Sequence, residues 1–359
     1  MRIGIVTQTL ANNYGGILQN YALQQYLKQL GHEPITIDFK RPPVDYHTYL
    51  LAFVKAIIAY FIPSKRRPFP RRDINRRTQR NEMFVSKHIA RTKLVENYSP
   101  ELIEEYKLDA IIVGSDQVWR PEYNYSLEDM FLRFAEKSEV VKLVYAASFG
   151  VDQWEYTEEQ TNICRDLCRW FKAVSVREYS GVVLCKEHLN IKAVEMIDPT
   201  MLLLKDEYEE LCKDVPEAGK NILAAYVLDI NKDKQDFITT FAKSNKLHPV
   251  IFRADLSCSL TIEEWVAMFR DAKYVITDSF HGTVFSILFN KPFLAVANNS
   301  RGSSRFQNLL DKFNLTDRLI DPSISICSMK DIDWNEVNGT ISYLKVDAYT
   351  YLTSNLKCQ

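Results

Sequence analysis

Short apolar runs of four to eight residues alternate with segments of helical period along almost the whole chain, and no other feature constrains its fold as much. In the first half the runs are 2–7, 34–39, 109–114, 141–147 and 173–177; in the second they are 221–228, 248–253, 273–277 and 293–297. These runs are apolar throughout rather than at every other residue, so both faces of each strand are covered, as in parallel sheets flanked by helices. Two successive series predict an α/β protein of two doubly wound domains. A chain of 359 residues is long for one domain and comfortable for two.

The change of series falls between Asp198-Pro199-Thr200 and the proline-, glycine- and charge-rich stretch 213–221. The expected division is an N-terminal Rossmann-like domain over 1–205 and a C-terminal one over 206–359. The second would end in a helix near 341–356, which the sequence leaves free to return to the first. Residues 45–95 interrupt the alternation as an insertion. Within them, 49–62 (YLLAFVKAIIAYFI) are almost wholly apolar, and eight basic residues against one acid follow between Ser64 and Arg80. The apolar run is too short to span a bilayer but long enough to lie in an interface. Beside anionic lipid each basic residue adds about 1 kcal/mol. Residues 49–80 therefore read in three ways: peripheral membrane contact, which is preferred, a core-covering helix with a solvated basic loop, or a basic groove for a diphosphate-bearing substrate.

A formal net charge of −1 argues against a general nucleic-acid binder. The seven cysteines form no CxxC pair, and Cys164 and Cys168 share a helix face with no second pair to complete a metal site. They read as buried thiols of a reducing compartment. The N-terminus reads as a strand and not a signal peptide, and no apolar run is long enough to cross a membrane. A cytoplasmic protein is expected, at the inner face of the membrane if 49–80 binds lipid.

Chemistry-bearing residues gather at strand ends. After the first strand, Asn12-Asn13-Tyr14-Gly15-Gly16 opens a helix that Gly31 ends. This turn is neither the dinucleotide fingerprint nor a phosphate loop with lysine. Its glycines and free amides suit close approach of a ligand, and a tight connection with no ligand is an equal reading. The stretch 111–121 puts Ser115 and Asp116 at the sheet edge, where Asp116 suits a base, a partner for sugar hydroxyls or a helix cap. Arg177 ends the fifth strand, placed either to fork onto an anion or to pair with Glu178. Asp278-Ser279-Phe280-His281-Gly282-Thr283 follows a strand and opens a helix, which makes His281 the sharpest candidate. In the loop 298–306, Arg301 and Arg305 read as phosphate ligands or as solvated charges.

These motifs, with YAASFG and DPTMLL, resemble the polysaccharide pyruvyl transferase family, in the family's order and over about residues 3–310. The resemblance implies a fold similar to the GT-B glycosyltransferases with the active site in the interdomain cleft. It implies transfer of the enolpyruvyl unit of phosphoenolpyruvate to two hydroxyls of a sugar, giving a cyclic ketal and phosphate. The acceptor would be a saccharide, lipid-linked or polymeric, of a capsule, exopolysaccharide or cell wall. No metal or organic cofactor is implied. His281 matches the family's acid/base and Arg177 an arginine that binds the donor. Where some members have an arginine, this chain has Ser279, so the missing charge is expected from Arg301 or Arg305.

On this reading His281 protonates the donor's methylene carbon, Asp116 assists an attacking hydroxyl, and the arginines hold the departing phosphate. The turn 12–16 becomes the acceptor side of the cleft, with Asn12, Asn13 and Tyr14 bonding sugar hydroxyls beside Gly15 and Gly16. Two rivals stand beside it, because a fold does not fix a reaction. One is a GT-B glycosyltransferase using a nucleotide sugar, the other a non-catalytic saccharide-binding protein.

Overall fold

The computed structural model describes residues 1–11, 13–40, 80–253, 260–297, 304–321 and 331–357. Its first sheet has six strands: β1 (Arg2–Val6), β2 (Glu33–Thr36), β3 (Ala110–Val113), β4 (Val141–Ala147), β5 (Ala173–Val176) and β6 (Val194–Glu195). They lie in the order β2-β1-β3-β4-β5-β6, all parallel. The second sheet has β7 (Ile222–Tyr226), β8 (His248–Phe252), β9 (Tyr274–Thr277), β10 (Phe293–Val296) and β11 (Leu319–Ile320), also parallel, in the order β11-β10-β9-β7-β8. Every apolar run became a strand; the short edge strands β6 and β11 lack such a run and were not expected.

Both sheets follow one winding rule: the chain leaves the opening strand to one side, then returns to its other side. The strand order therefore reverses between β1 and β3 in the first sheet and between β7 and β9 in the second. At such a switch point the flanking loops part and leave a crevice beyond the carboxyl ends of the strands. Asn13 follows β1 and Asp116 follows β3; Leu228 follows β7 and His281 follows β9. Both switch points thus present residues singled out above: Asn13 and Asp116 at the first, His281 at the second.

The helix Tyr14–Gln29 buries Ile17, Leu18, Ala22, Leu23 and Leu27 against the first sheet, together with Gln19, Asn20 and Gln24. That face is more polar than apolar spacing suggested, because the strands supply partners. Gln19 Nε2 donates to Thr7 Oγ1 at 3.0 Å and Gln24 Nε2 to Thr36 Oγ1 at 2.9 Å. Gly31, at φ +82°, ends the helix turn as expected of a residue without Cβ.

Several contacts tie the halves together, among them the following two. Tyr14 stacks on Trp265 at 5.8 Å and its hydroxyl donates to the Leu260 carbonyl at 2.6 Å. The final helix, Trp334–Asn355, does return to the first sheet: Tyr351 donates to the Val144 carbonyl at 2.7 Å. Residues 49–79 lie outside the described residues, so none of the three readings of that stretch is tested. No helix among the described residues is long and apolar enough to cross a membrane. Cys164, Cys168, Cys185 and Cys212 are buried free thiols, and burial pushes the Cys164 thiol up to about 12.

Candidate active site

The two switch points open on one cleft of about 680 Å³, mid-range for small-molecule sites. Gln8, Asn13, Gly16, Asp116 and residues 122–125 line it from the first half; Leu228, Asp278, Ser279, His281 and Arg305 line it from the second.

His281 owes its place to a strand that stops and a helix that starts within four residues. Ser279 Oγ accepts from the Gly282 amide at 3.3 Å and caps the helix Phe280–Leu288. The imidazole, only 7% exposed, then reaches the first half twice. Its Nε2 lies 3.5 Å from Asp198 Oδ2. On its other side a Cβ at Gly15 would stand 2.0 Å from Nδ1, so only glycine admits the ring there.

Asp198 is the hub beneath it. Oδ1 accepts from the Thr200 amide at 3.0 Å and the Thr200 hydroxyl at 2.7 Å, capping the turn Pro199–Met201. Oδ2 accepts from Arg177 Nη1 at 2.8 Å and from Ser115 Oγ at 3.2 Å, besides facing His281. Burial alone would raise the Asp198 carboxyl. His281 and Arg177 more than offset that and hold it well below the usual carboxylate range.

Arg177 is likewise committed. Nε donates to Glu178 Oε1 at 2.9 Å, and the guanidinium lies 4.2 Å over the Phe280 ring. Burial favours its neutral form, but Glu178 and Asp198 together keep it above its ordinary value. Its Nη2 is buried and has no hydrogen-bond partner among the described residues.

Arg305, at the start of the helix Ser304–Lys312, is 7% exposed. Burial, and after it the neighbouring Arg177, push the guanidinium down to about 10, so it still carries its charge at neutral pH. Opposite stands Asp116, at φ +72°, a strained conformation for a residue with a Cβ. Its carbonyl accepts from Val118 N at 2.7 Å and Ser148 N at 3.0 Å, which over-determines that geometry. The carboxylate accepts from Asn13 Nδ2 at 2.9 Å and borders the cleft.

His281 of one half thus faces Asp198 of the other where the two sheets meet, and Arg305 lines the same cleft. The sequence model of the family described as polysaccharide pyruvyl transferase matches residues 13–300. The chain belongs to that family. No curated protein matches it by sequence. Among solved structures it is similar to the S. aureus MnaA–UDP co-structure, at 12% identity over 98% of this chain and 89% of that one, TM-score 0.51. It is also similar to the Candida albicans trehalose-6-phosphate phosphatase N-terminal domain, at 9% identity over 99% and 97%, TM-score 0.51. UDP-GlcNAc 2-epimerase from Methanocaldococcus jannaschii gives 9% over 95% and 92%, TM-score 0.50. At such identities the likeness shows the fold alone, which is GT-B-like.

Within this pyruvyl transferase the expected site residues part into three groups. His281, Ser279, Arg305, Asp116, Asn13 and Gly16 border the cleft together. Four others do not, and each has a physical reason. Tyr14 donates its hydroxyl to Leu260 and stacks its ring on Trp265, so it joins the halves and is not among the residues that line the cleft. Gly15 gives room to His281 and not to a ligand. Ser115, fully buried, donates to Asp198. Arg177 has two of its nitrogens on carboxylates and lies beneath the cleft, not as an open fork. Asn12 and Arg301 lie outside the described residues. The sequence reading passed over Asp198, treated as part of a linker; its Asp-Pro-Thr capping pattern was the available signal. It also passed over Glu178, weighed only as Arg177's surface partner although it is 3% exposed.

Proposed function

We propose that this pyruvyl transferase moves the enolpyruvyl unit of phosphoenolpyruvate onto two hydroxyls of one sugar, forming a cyclic ketal and releasing phosphate. The observation that carries this is His281, wedged between Gly15 and Asp198, in a cleft that Arg305 also lines. An imidazolium there has Asp198 as counter-charge, and so is placed to give a proton to the methylene carbon of the donor. The C2 centre becomes electrophilic and a sugar hydroxyl adds to it, its proton drawn off by Asp116. The C–O bond to phosphate then breaks, and the second hydroxyl closes the ketal. Of the two hydroxyl protons lost, one replaces that given to the new methyl group and the other leaves on phosphate.

Charge placement supports the same donor. Phosphoenolpyruvate carries a phosphate and a carboxylate, and Arg305 supplies from a separate helix the cation that Ser279 does not. Arg177 holds Asp198, and through it His281, while its buried Nη2 is the remaining donor of that guanidinium. The acceptor is a saccharide with two hydroxyls close enough to close one ring, carried on a glycan; the lipid-linked form and contact of 49–80 with a membrane belong to the same proposal.

A thermal-shift series tests it. Phosphoenolpyruvate should raise the melting temperature and UDP-sugars should not. Saturation at about 100 times Kd corresponds to about 2.7 kcal/mol. Arg305→Ala should abolish the shift. Stabilisation by UDP-sugars alone would turn the assignment to a nucleotide-sugar transferase.

A further inference from the structure

The cleft has a second chemistry on the turn that carries Tyr123 and Tyr125. Tyr123 and Tyr125 are 40% and 61% exposed, although large aromatic side chains normally bury most of their surface. They are not loosely held. Asn124, between them, donates Nδ2 to the carbonyls of Arg120 at 2.7 Å and Val118 at 2.8 Å, and its Oδ1 accepts from Gln8 Nε2 at 2.9 Å. Arg120 lies 4.9 Å over the Tyr123 ring and pairs with Glu122 at 2.8 Å and Glu155 at 3.2 Å. The turn is thus held by its own hydrogen bonds and ion pairs; Arg120 covers one face of Tyr123, and Tyr125 stays the more exposed of the two rings. Rigid aromatic rings beside carboxamides and a carboxylate match a pyranose, whose C–H face packs on rings while its hydroxyls bond to amides and acids.

Gln8, Thr9 and residues 123–125 line both the main cleft and a second, smaller hollow that reaches Phe39 and Tyr98. Phe39 and Tyr98 stack there at 4.9 Å and back the turn; that hollow, of about 30 Å³, has room for a water and not for a sugar ring.

We propose that Tyr123 and Tyr125, set by Asn124, are the residues that pack on the sugar ring next to the reacting one in the glycan acceptor. The inference rests on the pyruvyltransferase reading of the same cleft, yet it concerns binding and is tested without turnover. The probes are dextrin, chitin, galactan and mannan oligosaccharides of increasing length and the matching methyl monosaccharides, followed by saturation-transfer NMR on the full chain. At least one oligosaccharide should bind about tenfold tighter than its methyl monosaccharide, and Tyr125→Ala should remove that advantage. Tyr123→Phe should keep most of it, since the ring and not the hydroxyl does the packing. Melting curves establish that both variants are folded, which their exposure favours.

Binding that does not depend on chain length, or that survives both Tyr125→Ala and Tyr123→Ala, overturns the subsite. So does UDP displacing no oligosaccharide while itself losing affinity in Tyr125→Ala, because the rings would then hold a nucleobase. Phosphoenolpyruvate affinity, read in the same samples, should be unchanged. If phosphoenolpyruvate fails to bind while the oligosaccharide dependence holds, the donor assignment falls and the subsite stands.

Discussion

Each half of the molecule buries an aspartate paired with a cation beside its switch point, and the two pairs do different things. Asp278 accepts from Lys234 Nζ at 2.6 Å, from Leu228 N at 2.5 Å and from Asp229 N at 3.2 Å, all within the second half. It closes the loops after β7 and β9 on each other. Asp198 accepts from Arg177 and Ser115 of its own half but turns the same oxygen toward His281 of the other. One pair is an internal latch; the other is half of a site that exists only when both halves meet. Burial and ion pairing are common to both acids, and reach across the cleft to His281 is what sets Asp198 apart.

The sharpest way to break that contrast begins with His281 itself. His281→Ala should lower turnover by about a thousandfold or more, within the range of general acid–base catalysis, while the chain stays folded. Phosphate release from phosphoenolpyruvate with a working acceptor is the readout, and persistent release would end the assignment.

Next come the two aspartates together. Asp198→Asn and Asp278→Asn should each cost about 3 kcal/mol of unfolding free energy, the penalty for leaving a buried cation short of its partner. Only Asp198→Asn should also lower kcat per folded molecule, by about a hundredfold. Equal kinetic effects would erase the distinction drawn above. The pH dependence has a defined sign. The Asp198 carboxyl is held below its ordinary value in the folded chain, so its stabilisation is complete above about pH 4 and is lost as pH falls below that. Denaturant titrations should show the gap between wild type and Asp198→Asn shrinking as the pH falls below about 4.

Gly15→Ala probes the meeting of the halves from the other side. The added methyl collides with Nδ1 of His281, and displacing the ring should cost roughly thirtyfold in kcat with little change in either KM. A normal kcat would mean that the ring has room to spare. The smallest effect belongs to Asn13→Ala, which removes one hydrogen bond to the Asp116 carboxylate. About 1.5 kcal/mol, or roughly tenfold in kcat/KM for the acceptor, is expected, with phosphoenolpyruvate affinity retained. The reverse pattern would move Asn13 and Asp116 to the donor side.

What the sequence determined on its own is the layered fold and the neighbourhood of the chemistry. Apolar runs without alternation can only be strands covered on both faces, and that property is local, so each of the nine runs was legible. Strand ends followed by glycine or a capping residue are equally local, which is why His281, Asp116, Asn13 and Arg305 were within reach. The direction in which each side chain is spent was not legible, because it depends on residues far along the chain. Tyr14 finds Leu260, Ser115 finds Asp198, and Arg177 finds an acid twenty-one residues away. Asp198 read as a linker residue because its second role is given by His281, which arrives from the other sheet. Gly15 read as room for a ligand and is room for an imidazole. Periodicity and turn chemistry fix elements one at a time, whereas a site at the seam of two sheets is fixed only by how they pack.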